Sequence, residues 1–143
     1  MVAMFSNSSA QTGELKSRAV YRSATILVVE DSKDTRNVLN FSLTKNGYKV
    51  VTAVNGEEAV EVTLRERPDL ILMDLNMPLM DGLAATEEIR EHEELRKVPI
   101  LAVTAYDTYG MKEAALEAGC TGYIKKPIDF NRLDIILRRI LLC

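Results

Sequence analysis

From residue 24 onward the chain alternates short apolar runs with longer amphipathic stretches. "ATILVVE" (24–30) has almost no polar residue inside it and reads as a strand. "SKDTRNVLNFSLTKNG" (32–47) reads as a helix, opened near Asp31 or Ser32 and closed by Asn46-Gly47. "YKVVTAV" (48–54) predicts a second strand, after which Asn55 caps a helix that stops before Pro68. "DLILM" (69–73) predicts a third strand, and "LAATEEIREHEELR" (83–96), capped by Asp81, the third helix. "VPILAVT" (98–104) and "TGYIKK" (121–126) predict strands four and five. Between them, "TYGMKEAALEAG" (108–119) predicts a helix closed by Gly119. Asp129 caps the last helix, "FNRLDIILRRILL" (130–142).

Five strands alternating with five helices imply an α/β protein with a parallel sheet. Such a sheet is covered on both faces, which explains near-continuous apolar runs in place of strict alternation. Leu133, Ile136, Leu137 and Ile140 form the stripe of the last helix expected to face the sheet, whereas Ile135 and Leu142 fall on the opposite side. The 143 residues suit one domain with one sizeable core. The first 23 residues, rich in Ser and Ala, read as a mostly disordered extension or leader, with a short helix over Gly13 to Tyr21 as the alternative. They lack the basic start and long apolar middle of a signal peptide.

Charge and composition narrow the function. A net charge of -3 argues against non-specific nucleic-acid binding. No apolar run approaches the roughly 18 residues of a membrane-spanning helix, so no membrane partner is expected and a cytoplasmic setting is. The two cysteines, Cys120 and Cys143, read as reduced thiols. The single histidine, His92, lies in "REHEEL" and reads as part of a solvated helix face, so no Ser-His-Asp arrangement is supportable. Neither G-x-x-x-x-G-K-[ST] nor G-x-G-x-x-G occurs, which argues against a bound nucleotide.

The strand ends hold the chemistry. In open α/β sheets ligands bind beyond the carboxyl ends of the strands. Strand one ends in Glu30-Asp31, strand three in Asp74, strand four in Thr104 and strand five in Lys126. Strand two ends in Val54-Asn55, which is ordinary cap chemistry. Three carboxylates on one edge repel unless a cation or proton compensates. Oxygen ligands suit Mg²⁺ or Mn²⁺ rather than zinc, and Mg²⁺ commonly shares its shell with phosphate oxygens.

The set Glu30-Asp31, Asp74, Thr104-Ala105 and Lys126-Pro127, each at its own strand end, resembles the CheY-like receiver domain of two-component response regulators. "MDLNMPLMDG" closely matches that family's phosphorylation loop, and the resemblance covers residues 24–143, with no key residue missing. It implies a doubly wound (βα)5, flavodoxin-like sandwich with strand order 2-1-3-4-5. It implies that Asp74 accepts a phosphoryl group from a phosphohistidine on a sensor histidine kinase or histidine phosphotransfer protein, making the chain a phosphoacceptor that assists its own phosphorylation and dephosphorylation rather than an enzyme on other substrates. Asp31, Asp74 and the backbone carbonyl of Asn76 would ligate Mg²⁺, with Glu30 acting through water. Lys126 would pair with Asp74 and then with the phosphoryl oxygens, and Thr104 would hydrogen-bond one of them. The Lys126-Pro127 bond is expected to be cis, and Lys125 is the competing lysine. Tyr123 would follow Thr104 and alter the face made by the fourth helix, fifth strand and fifth helix, where a downstream protein or a second copy would dock, with Ile135, Leu142, Arg138 and Arg139 nearby.

Three other readings use the same residues. The chain could be a receiver domain of a larger hybrid kinase or transcription factor. A flavodoxin-like cofactor-binding protein would need a Ser/Thr/Gly-rich phosphate loop after strand one, where "EDSKD" stands instead. A metal-dependent phosphatase would need a second aspartate two residues after the nucleophile, where Asn76 stands.

Overall fold

A computed structural model describes residues 24–77, 80–105 and 110–142. The expectations for residues 1–23, Pro78, Thr108, Tyr109 and Cys143 lie outside the described residues. Five strands, β1 (Thr25–Val29), β2 (Lys49–Ala53), β3 (Leu70–Asp74), β4 (Ile100–Thr104) and β5 (Gly122–Lys125), form one parallel sheet in the order β2-β1-β3-β4-β5. Five helices connect and flank them: α1 (Lys33–Lys45), α2 (Gly56–Glu66), α3 (Gly82–Glu91), α4 (Met111–Ala118) and α5 (Phe130–Leu141). The strand order reverses at β1, so β1 and β3 diverge in their connections and leave a crevice at their carboxyl ends.

Period-two alternation divides the core between two faces. Leu27, Val29, Ile71, Met73, Ile100 and Ala102 join residues of α2, α3 and α4 in one cluster. Ile26, Val28, Leu70, Leu72, Leu101 and Val103 pack with Leu39 and Leu43 of α1 and Leu133 and Leu137 of α5 in the other. Central strands are therefore apolar at every interior position, and β3 is buried throughout. On α5, Leu133 and Leu137 are buried and Ile136 and Ile140 partly so, while Ile135 and Leu142 are exposed, as the stripe predicts.

The helix starts follow local chemistry. Ser32, Asn55, Asp81 and Asp129 each accept backbone N–H bonds at their helix N-termini. Glu58 returns the favour at α2, accepting from the Val54 N–H while its own N–H donates to Asn55. Gly47 and Gly119 take the positive φ that closes α1 and α4.

Most ends shift by a residue or two from the sequence reading, and three of the differences bear on the site or its supports. The third helix stops at Glu91, and Glu93–Leu95 form a separate 3-10 turn. Here Arg90 reaches back to donate to the carbonyls of Gly119 and Leu95, which ties the helix end to the α4–β5 junction. His92 sits at that break, its Nδ1 4.0 Å from Glu94 Oε1, so it is not on a continuous helix face. α4 begins at Met111, after Gly110 in the left-handed region. Finally, β5 ends at Lys125, which leaves Lys126 one residue beyond the strand.

Candidate functional site: an acidic crevice closed by one lysine

The register builds the site. Val29 of β1 pairs with Met73 of β3, so one step further along Glu30 and Asp74 stand side by side. Both carboxylates are buried, 3% and 2% exposed, and Asp31 beside them is exposed. One carboxylate oxygen from each of the three lies within 4.8 Å of the others. Such a trio is self-repelling, and two of its members have little water to help them.

The protein compensates in part. Lys126 Nζ donates to Glu30 Oε1 at 3.2 Å and lies 3.5 Å from Asp74 Oδ2. The Lys126-Pro127 peptide is cis, as expected. Lys125, the competing lysine, is exposed. The Ser32 N–H donates to Glu30 Oε2 at 3.1 Å, and the Asn76 N–H donates to Asp74 Oδ1 at 3.0 Å. The balance remains unfavourable for Glu30: burial, reinforced by the Asp74 charge, raises its carboxyl above the ordinary value against the pull of Ser32 and Lys126. Burial lowers the Lys126 ammonium, but the charges of Asp74 and Glu30 outweigh it and hold the group above its ordinary value.

Thr104, fully buried at the end of β4, accepts a 2.8 Å hydrogen bond from Asn76 Nδ2. Its carbonyl accepts from the Lys126 N–H at 2.8 Å, which joins β4 to the segment carrying the lysine. Tyr123 is partly buried on β5 against the cluster formed with α2, α3 and α4. All seven sequence-predicted residues are thus located. Glu30, Asp31, Asp74 and Lys126 share the crevice, Asn76 and Thr104 form its rim, and Tyr123 stands apart on the edge strand.

Two contributors escaped the sequence reading, and a third, Gly82, reads there only as shaping the loop. Arg36 Nη1 donates to the Glu30 carbonyl at 2.9 Å and more weakly to that of Asp31 at 3.4 Å, which steadies the acidic turn. The Asn76 amide bond to Thr104 spans 28 positions and has no local signature. At Gly82 a β-carbon would collide with the Asp74 carbonyl oxygen and lie 2.8 Å from Leu75 Cα. Only this last had a visible signal, the glycine of "MDG".

A buried oxygen-rich cluster with one ammonium is suited to a hard divalent cation and to an anionic group that the cation and lysine would jointly neutralise. The family profile for the response regulator receiver domain matches residues 26–138. The chain belongs to this family. Its relatives include the polar-differentiation response regulator DivK of Brucella anthropi, 36% identical over 107 residues that span 75% of this chain and 87% of that protein. Among solved structures, the receiver domain of a Pseudomonas aeruginosa sensor histidine kinase has a magnesium ion coordinated in its active-site cleft. It is 41% identical with a TM-score of 0.77, covering 82% of this chain and 97% of that one. A Vibrio cholerae chemotaxis protein of the CheY type is 33% identical with a TM-score of 0.78, covering 82% and 98%. This receiver is a phosphorylation-controlled signalling protein of the two-component type, and its doubly wound sheet is the receiver fold. Among the described residues no helix is long and apolar enough to cross a membrane.

Proposed function

We propose that this receiver takes a phosphoryl group on Asp74 from a phosphohistidine of a sensor histidine kinase or histidine phosphotransfer protein, in a Mg²⁺-dependent step in the cytoplasm. What supports this reading is the position of Asp74, buried at the carboxyl end of β3, 3.5 Å from Lys126 and clustered with Glu30 and Asp31. The donor set fits the metal: Asp31, Asp74 and the Asn76 carbonyl would hold Mg²⁺, with Glu30 acting through a bound water, and Mn²⁺ would satisfy the same oxygens. When bound, the ion supplies positive charge for the carboxylates and the transferring phosphoryl oxygens. An Asp74 oxygen attacks phosphorus, a new O–P bond forms, the P–N bond to the donor histidine breaks, and the imidazole leaves with that electron pair. Lys126 already touches both buried carboxylates and would shift its charge onto the incoming oxygens. Thr104 would donate its hydroxyl proton to one of them.

The output is conformational. Thr104 ends β4, and Tyr123 lies on the adjoining β5, where Ala102 pairs with it. Movement of the threonine toward the phosphoryl group would draw the tyrosine ring inward and reshape the α4–β5–α5 face. The exposed Ile135 and Leu142 of that region, with Arg138 and Arg139, would then meet a downstream protein or a second copy. The test is incubation with Mg²⁺ and acetyl phosphate followed by intact mass. A phosphate-sized gain is expected, lost in Asp74→Asn and on chelation; no gain under conditions that label another receiver would falsify the proposal.

A further inference from the structure

Asn76 makes two contacts that no other described residue of the loop after β3 combines. Its backbone N–H holds Asp74 Oδ1 at 3.0 Å, and its side-chain Nδ2 donates to Thr104 Oγ1 at 2.8 Å. One residue thus links the carboxylate at the end of β3 to the hydroxyl at the end of β4. The link joins unequal environments: Asn76 is exposed, whereas Thr104 is fully buried. An amide nitrogen only donates, and a hydroxyl oxygen that accepts from it must direct its own proton elsewhere.

We propose that the Asn76 side chain is a positioning residue for Thr104, fixing the threonine oxygen as an acceptor so that its proton is offered to the phosphoryl group on Asp74. This rests on Asp74 being the phosphorylation site. The amide then does part of the ordering before the phosphoryl group arrives, which lowers the cost of recruiting Thr104 during transfer. The threonine also stays tied to the loop that carries the chemistry, so what happens at Asp74 is felt at β4. A side chain acting this way works only through an oxygen at position 104.

The test is a double-mutant cycle read by initial rates of acetyl phosphate labelling at saturating Mg²⁺. Asn76→Ala is expected to slow labelling about fivefold, the scale of one neutral hydrogen bond. The effect should vanish in Thr104→Val, which keeps the shape and removes the oxygen. It should persist in Thr104→Ser, which keeps the oxygen and removes the methyl group. In the metal-free, unphosphorylated protein, Asn76→Ala should also shift the Thr104 methyl resonance. An equal Asn76→Ala effect in all three backgrounds, no effect in any, or an unmoved methyl resonance overturns the inference. Failure of the wild-type chain to label at all would instead overturn the assignment of Asp74.

Discussion

Replacing Lys126 by methionine removes an ammonium and keeps most of its apolar stem, so it isolates charge. Lys126 lies 3.2 Å from Glu30 Oε1 and 3.5 Å from Asp74 Oδ2. At an effective dielectric constant near 20, each contact is worth roughly 5 kcal/mol in gross attraction. Most of that is cancelled by the cost of withdrawing the ammonium from water, and removing one partner of a buried pair typically costs about 3–5 kcal/mol. The lysine side chain keeps 25% of its surface in solvent, so screening places the expected loss lower, at about 2–3 kcal/mol. For a domain of this size that is a fall in Tm of about 6–12 °C in chelator. The variant also leaves Glu30 and Asp74 without their shared cation, which deepens the negative potential a divalent ion meets. Mg²⁺ should therefore bind Lys126→Met more tightly than wild type and raise its Tm by more, through ordinary linkage. Thermal unfolding by circular dichroism, in chelator and across a Mg²⁺ titration, reads both quantities. A variant as stable as wild type without metal, or one whose Mg²⁺-induced shift is no larger, would refute the picture of one lysine holding the two buried carboxylates together.

Glu30 should leave a pH signature. Its folded value lies above its ordinary value of 4.5, so it stabilises the fold below that value and the contribution is lost as pH rises through the folded value. In metal-free buffer the urea midpoint of Glu30→Gln should gain on wild type as pH rises through that window; a constant difference would contradict the buried, Asp74-facing carboxylate. Gly82→Ala should cost about 1–3 kcal/mol in urea unfolding and slow Asp74 labelling, because a β-carbon there collides with the Asp74 carbonyl and Leu75 Cα. On α5, Leu137→Ala should cost about 2–5 kcal/mol, whereas Ile135→Ala should stay within about 0.5 kcal/mol, since the first is fully buried and the second half exposed.

Much of this molecule is decided locally. The apolar runs at 24–30, 69–73 and 98–104 supply strands covered on both faces, and the caps at Asn55, Asp81 and Asp129 form from side chains and N–H groups within three residues. The acidic and basic strand ends were legible too, because a parallel sheet gathers every carboxyl end on one edge. The sequence alone therefore determined the alternation of elements, the starts of the helices with a side-chain cap and the identity of the residues on that edge. Its errors came where a distant partner overrides local preference: "REHEEL" continues a helical pattern, yet Arg90 turns back to the Gly119 carbonyl and the helix ends. Only the tertiary structure decided how the edge residues meet. Register places Glu30 beside Asp74, the backbone turn after β5 chooses Lys126 over Lys125, and the loop after β3 lays the Asn76 amide on Thr104. Each depends on distances between strands far apart in the chain, which composition and periodicity do not encode because they report what each segment is and not what stands across from it.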